Sequence, residues 1–222
     1  MNNLSKRIIT SIILIFILSI SLFYNKYIWL FTLIFVSLVL FIEFNNLVNK
    51  IWKKEKIIIS NFNIFSLLFL LILIYVSYKL YSNPPMGLVF IILICIFSDT
   101  GGYLIGNLIG GKKLTKISPN KTISGAVGSF ICSLIPIIYF FYYQSNYSMY
   151  YSFEFKYLFL ICIIFLLISL VCQLGDLFIS YFKRRSRLKD TGKILPGHGG
   201  LLDRIDGIIF AVPFGILLAN MI

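Results

Sequence analysis

Residues 62–81 read FNIFSLLFLLILIYVSYKLY, twenty residues with one charge, a lysine third from the end. An α-helix rises about 1.5 Å per residue, so a run of this length reaches across a hydrocarbon core of about 30 Å. The same pattern recurs along the chain. Apolar segments run over 8–24, 28–48, 62–81, 86–98, 123–143, 157–175 and 207–222, and 59% of the 222 residues are hydrophobic. A soluble domain of this size has no means of hiding that much apolar surface. The expected fold is all-α: a polytopic helical membrane protein of about seven spans, a single integral domain over 1–222. Residues 1–82 form its N-terminal three-helix part and 83–222 the part that carries the chemistry.

Seven spans divide the chain into eight aqueous segments. With Lys79, at the end of its span, counted in the segment that follows, their Lys and Arg counts alternate as 2, 1, 4, 1, 4, 1, 7 and 0. Seventeen cations fall on one side and three on the other, which predicts a cytoplasmic N-terminus and an outward C-terminus. The net charge of +12 is then a cytoplasmic charge. It serves as a topology signal or as a contact for anionic lipid. The first apolar run follows Lys6 and Arg7 but is succeeded by Tyr24-Asn25-Lys26 rather than by a small-residue cleavage site, so it reads as a retained span. Cys95, Cys132, Cys162 and Cys172 lie inside apolar runs and read as small packing residues.

Two spans are short. Residues 86–98 follow Pro84-Pro85 and are expected to stop at Ser98-Asp99; residues 207–222 begin after Asp206. Each has an aspartate at its cytoplasmic end, which favours a polar pocket below the membrane surface. The eight acids divide accordingly. Glu43, Glu55 and Glu154 read as ordinary interfacial or solvated charges. Asp99, Asp176, Asp190, Asp203 and Asp206 all fall at or between cytoplasmic span ends, where acids are functional by default. Asp203 and Asp206, at i and i+3, share a helix face. That spacing suits a hard cation held by carboxylates, and it equally suits acids capping a helix N-terminus with Arg204 nearby. Asp176 sits in CQLGDLFIS at the end of the sixth span.

Two cytoplasmic stretches concentrate the remaining polar chemistry. SDTGGYLIGNLIGGKKLTKISPNKTISG, 98–125, is rich in glycine and lysine. It reads as a phosphate cradle between helices, or as glycines that let helices approach closely. It is neither a Walker A loop nor a dinucleotide-binding turn. Within it, Lys121 and Thr122 open a helix, where anions are favoured. The second stretch, KRRSRLKDTGKILPGHGG, 183–200, offers Lys183, Arg184 and Lys189 to phosphate or to lipid headgroups. Gly199 and Gly200 allow close backbone approach, and His198 is either structural or a substrate contact.

SYFKRRSRLKDTGKILPGHGGLLDRID, 180–206, closely resembles the C-terminal motif of phosphatidate cytidylyltransferases, the CDP-diacylglycerol synthases. The shared elements are S-x-F-K-R, K-D-x-G, L-P-G-H-G-G and D-R-x-D. SDTGGYLIGNLIG and KISPNKT resemble two further family elements in the expected order, so the resemblance spans about residues 97–210. One departure is Ser124, where the family commonly has an acid before glycine. The resemblance implies reaction of CTP with phosphatidate to give CDP-diacylglycerol and pyrophosphate. It also implies Mg²⁺ held by Asp176, Asp203 and Asp206, K⁺ at that site in some members, and pairing into homodimers. Membrane lipid, CTP and phosphatidate are then the partners, with no nucleic acid, and the setting is the bacterial inner membrane with the site facing the cytoplasm. On this reading Asp203, Asp176, Lys189 and Arg204 are catalytic. Asp99, Ser118, Lys121, Thr122, Lys183, Arg184, His198, Gly199 and Gly200 bind substrate. A CTP-dependent polyprenol or lipid-alcohol kinase is the competing enzyme, and a lipid or phosphate transporter the competing non-enzyme.

Overall fold

The computed structural model describes residues 3–79, 81, 85–147, 155–197 and 199–219. Helix accounts for 79% of the structure, and no strand occurs among the described residues. The helices in chain order are α1 (Asn3–Phe23), α2 (Lys26–Ile51), α3 (Lys56–Lys79), α4 (Met86–Ile109), α5 (Ile123–Ser133), α6 (Pro136–Tyr147), α7 (Phe155–Arg185), α8 (Leu202–Ile205) and α9 (Ile208–Ala219). Five stretches are long and apolar enough to cross a membrane: α2, α3, α4, the α5–α6 stretch Ile123–Tyr142, and Leu158–Arg185 of α7. Arg7–Phe23 and Ile208–Leu218 are shorter apolar helices. The chain is a polytopic helical membrane protein. Large apolar side chains such as Phe16, Phe31, Phe35 and Ile138 stand exposed on these helices, as expected where the surrounding medium is itself apolar.

Several boundaries differ from those the sequence predicts. The fourth span does not stop at Ser98-Asp99; α4 continues to Ile109. The segment SDTGGYLIGNLI is therefore helical, and only the part beyond Gly110 is loop. Glycine is a poor helix former in water, but here it permits close helix contact. A Cβ at Gly101 would lie 2.4 Å from the Cβ of Cys132, and one at Gly128 would lie 2.6 Å from the Cβ of Ile105. Small residues thus let α4 and α5 approach nearly backbone to backbone, which is how membrane helices gain contact without a hydrophobic driving force. The sixth span likewise runs past 175, because α7 continues to Arg185 and ends on Lys183, Arg184 and Arg185. Three cations in the last turn complement the helix dipole. The fifth span is broken between α5 and α6 just before Pro136, whose nitrogen has no hydrogen to donate.

The helices form two compact units, Met1–Pro85 with Phe178–Asp206, and Met86–Leu177 with Gly207–Ile222; α7 contributes to both. In the first unit α2 packs against α1, α3 and α8. Its aromatic core joins Phe44, Trp52 and Phe62 around Phe182, with centroid separations of 5.2 Å for Phe44–Phe182 and 4.8 Å for Trp52–Phe62. The Arg185 guanidinium lies 4.8 Å from the Trp52 ring centroid, a cation–π contact that holds the end of α7. In the second unit α4 packs against α5, α6 and α9. A buried hydrogen bond of 2.8 Å joins the hydroxyls of Ser98 and Ser169. Gly215 of α9 meets Ile91 of α4 so closely that a Cβ would come within 2.9 Å of its side chain.

The α4–α5 contact yields a test. Gly128→Ala forces a methyl into the Ile105 side chain, and overpacking of this kind costs about 1–3 kcal/mol. Gly87, on the same helix pair's α4, has open space around its α-carbon. Thermal unfolding in detergent is expected to show a lowered midpoint for Gly128→Ala and no loss for Gly87→Ala.

Candidate active site

In the second unit the end of α4, the start of α5 and the loop between them enclose a cavity of ≈ 610 Å³, whose lining includes Asp99, Gly102, Gly106, Ser118, Lys121 and Asp176. This size is within the range of small-molecule sites, about 300–1,000 Å³. The wall exists because Gly102 and Gly106 carry no side chain. A Cβ at Gly102 would lie 2.4 Å from the Ser129 hydroxyl, and one at Gly106 would lie 3.0 Å from that of Thr122. Residues that allow close helix approach thus also line the pocket.

The loop is folded on itself. Leu114 donates its amide to the Lys121 carbonyl at 2.8 Å, and Ile123 to the Lys112 carbonyl at 3.0 Å. The Ser118 amide donates to the Thr115 hydroxyl at 3.2 Å. Thr122 caps α5, its hydroxyl accepting from the Gly125 amide at 3.1 Å. Lys121 reaches across to Asp176 of α7 and forms an ion pair with it. Asp99, on α4, faces the same cavity. Two carboxylates, two lysines, Lys113 and Lys121, and a capped helix start thus line one volume.

In the first unit Asp203 gathers donors from three directions. Its Oδ1 accepts from the Lys183 ammonium at 2.9 Å. Its Oδ2 accepts from the Thr191 amide at 2.7 Å, the Gly200 amide at 3.0 Å and the Thr191 hydroxyl at 3.1 Å. Burial pushes this carboxyl's pKa up, but Lys183 and the Thr191 and Gly200 amides outweigh that effect and hold it below the usual carboxylate range. The peptide around it is tightly closed. Leu195 and Gly199 exchange amide–carbonyl bonds of 2.9 and 3.2 Å. Gly199 adopts φ +86°, and a Cβ there would come 2.9 Å from both the Asp190 Cβ and Asp203 Oδ2. Arg184, Lys189 and Arg204 are exposed. Asp206 follows directly after α8. His198 lies outside the described residues.

The sequence matches the model of the cytidylyltransferase family over residues 44–222, which is most of the chain. The chain belongs to the cytidylyltransferase family. Among its relatives, the phosphatidate cytidylyltransferase of Staphylococcus haemolyticus (strain JCSC1435) is 43% identical over 147 residues, 64% of this chain and 53% of that protein. That of Staphylococcus saprophyticus is 43% identical over 148 residues, 64% of this chain and 54% of the relative. That of Staphylococcus aureus (strain COL) is 42% identical over 138 residues, 60% of this chain and 50% of the relative. The matched chain thus spans about half the length of these curated relatives.

Asp99, Ser118, Lys121, Thr122 and Asp176 therefore gather in the second unit. Lys183, Thr191, Gly199, Gly200 and Asp203 gather in the first. Among the described residues no three Asp, Glu, His or Cys side chains cluster as a ready metal cage. A Mg²⁺ ion, however, is commonly held by only one or two carboxylates plus substrate phosphates. The pair Asp99 and Asp176, facing one cavity, is a donor set of that kind. Asp203 differs, because its Oδ2 already takes the Thr191 and Gly200 amides and a share of the Thr191 hydroxyl proton, and its Oδ1 takes the Lys183 ammonium.

Sequence reasoning missed Glu43. It is not an ordinary interfacial charge but 2% exposed. It accepts the Thr191 hydroxyl at 2.8 Å and the amides of Leu201 and Leu202 at 3.0 and 2.8 Å. The available signal was an acid inside the apolar run 28–48.

The low Asp203 pKa has a consequence for stability. Its folded carboxyl titrates below the unfolded value of about 3.9, so its stabilisation is complete above about pH 4 and is lost as pH falls through the folded value. Asp203→Asn is expected to unfold about 1.5–3 kcal/mol more easily at pH 7, the scale of a lost charged hydrogen bond. Denaturant titrations at descending pH should show that difference shrinking below pH 4.

Proposed function

We propose that the protein is a phosphatidate cytidylyltransferase, joining CTP and phosphatidate to give CDP-diacylglycerol and pyrophosphate at the cytoplasmic face of a bacterial inner membrane. The observation that carries this reading is the convergence of Asp99, Lys121 and Asp176 on one cavity of ≈ 610 Å³. The relatives' names support it, as does the alternation of Lys and Arg, which assigns the loop ends of α4 and α7 to the cytoplasm.

The phosphatidate oxygen attacks the α-phosphorus of CTP. A new phosphorus–oxygen bond forms, the bond from the α-phosphorus to the β-bridging oxygen breaks, and pyrophosphate leaves. Two anions must meet, so the protein supplies positive charge. Lys121, just before α5, would contact the triphosphate, and the Thr122-capped helix end favours the same charge. Asp99 and Asp176 would hold Mg²⁺, which when bound neutralises charge developing on the leaving pyrophosphate. Lys189, Arg184 and Arg204, which are exposed, are candidates for contact with anionic lipid phosphate. Phosphatidate is already anionic at neutral pH, so the step requires neither a strong general base nor a covalent intermediate. Asp203, with its oxygens engaged by Lys183, Thr191 and Gly200, organises the motif loop.

Purified protein given phosphatidate, Mg²⁺ and CTP labelled at the α position is expected to form labelled CDP-lipid, while γ label leaves in pyrophosphate. Transfer of γ label to lipid would establish a kinase instead, and no transfer of either label would remove the enzymatic reading. Asp176→Asn is expected to lower turnover at least about 100-fold, since phosphoryl transfer depends on metal and charge placement, with membrane expression unchanged.

A further inference from the structure

Glu43 closes the apolar stretch of α2, just before Asn45, Asn46, Asn49 and Lys50, yet its side chain is almost wholly buried. Lipid offers no donors to such a group, so the carboxylate must be satisfied by protein. All three of its donors come from one segment: the Thr191 hydroxyl, and the amides of Leu201 and Leu202. Leu201 occupies the position before α8 where a polar side chain normally caps the helix, and it makes no side-chain cap bond. Glu43 instead accepts from the amides of Leu201 itself and of Leu202, the first residue of α8, from a helix nearly 160 residues earlier in the chain.

The loop is shaped to receive it. A Cβ at Gly192 would lie 2.6 Å from Glu43 Oε1, and one at Gly200 would lie 2.5 Å from Oε2 and 2.1 Å from the Thr191 hydroxyl. The single hydroxyl proton of Thr191 is shared, with Glu43 Oε2 at 2.8 Å and Asp203 Oδ2 at 3.1 Å. Three successive amides, at 200, 201 and 202, therefore point at two carboxylates. The glycines of this motif are used in closing the chain over those acids. An apolar side chain of similar size would pack α2 without needing any donors. What the acid adds is a fixed course for the segment bearing Lys189, Lys193 and Arg204, all three of which are exposed.

We infer that Glu43 is a positioning residue, which through Thr191 and the Leu201 and Leu202 amides presets the loop cations that receive an anionic lipid headgroup. The inference rests on the activity proposed above.

The test uses the full-length protein in mixed micelles, with KM measured separately for phosphatidate and for CTP. Hydrogen–deuterium exchange is followed over residues 189–202. Glu43→Gln keeps the shape but cannot accept from both amides and the hydroxyl. It is expected to raise the phosphatidate KM about tenfold, the scale of a lost charged hydrogen bond, with the CTP KM changed by less than about twofold. Exchange should quicken over 191–202 and stay at the wild-type rate in α3. Thr191→Val should reproduce both effects, and Thr191→Ser, which keeps the hydroxyl, should reverse them. If only packing mattered, valine would be tolerated and serine would not, and that result overturns the inference. So does an equal rise in both KM values, or wild-type exchange in Glu43→Gln. If the wild-type protein makes no CDP-lipid, the activity reading fails, and the exchange rates still decide whether Glu43 holds the loop.

Discussion

A carboxylate inside an apolar helix has to find its donors within the protein. Water is absent and lipid has nothing to offer, so a buried acid without partners is too costly to keep. Glu43 meets this constraint by drawing a distant loop onto α2, and the loop brings two backbone amides and a hydroxyl with it. Asp203 repeats the solution one layer further along, with Lys183 and two more amides. The K-D-x-G and P-G-H-G-G elements are folded around these acids, and the positive φ at Gly199 lets the chain turn there.

The second unit solves a different problem with small residues. α4 and α5 are held too close for side chains at Gly101, Gly102 and Gly128. Gly102, with Gly106 and Gly125, also lines the cavity that Asp99 and Asp176 face. Its walls are mixed: Tyr103, Leu114 and Ala126 stand beside the glycines and the polar groups. Lys121 offsets the acid charge by pairing with Asp176, so the cavity carries both signs of charge and can address a phosphate and a cation.

The apolar runs made the fold class legible, since burial in lipid imposes composition directly, and α2 and α3 are near where periodicity and length place them. Boundaries were less legible. Ser98-Asp99 looks like a helix end because Asp and Gly are poor helix formers, yet α5 packs against that turn and keeps it helical to Ile109. Lys183–Arg185 looks like loop by charge, and it is the last turn of α7. Candidate residues could be named by type and motif, but the groups they form could not. Asp176 meets Lys121 through folding, not spacing, and the i, i+3 relation of Asp203 to Asp206 says nothing of the four donor contacts already on Asp203. Glu43 stood out only as an acid in an apolar run, and its role was not legible because its partners lie about 150 residues away.

Ser124 shows how a departure from a family pattern can be read physically. Related sequences are expected to carry an acid here, beside the start of α5. An acid would gain from the helix dipole but would have no proton to donate when ionised. In this chain the Ser124 hydroxyl donates to the Gly110 carbonyl, and its oxygen is 3.0 Å from the Thr122 hydroxyl. Gly110, with φ +64°, is the residue on which α4 ends and turns into the loop. The serine therefore joins the end of one helix to the start of the next, directly under the lip of the cavity. A carboxylate would face the Gly110 carbonyl with like charge, and the loop between Gly110 and Thr122 would have to close by other means. The substitution thus replaces an electrostatic contribution at the pocket with a hydrogen bond that closes the loop, leaving Asp99 and Asp176 to carry the negative charge the pocket presents.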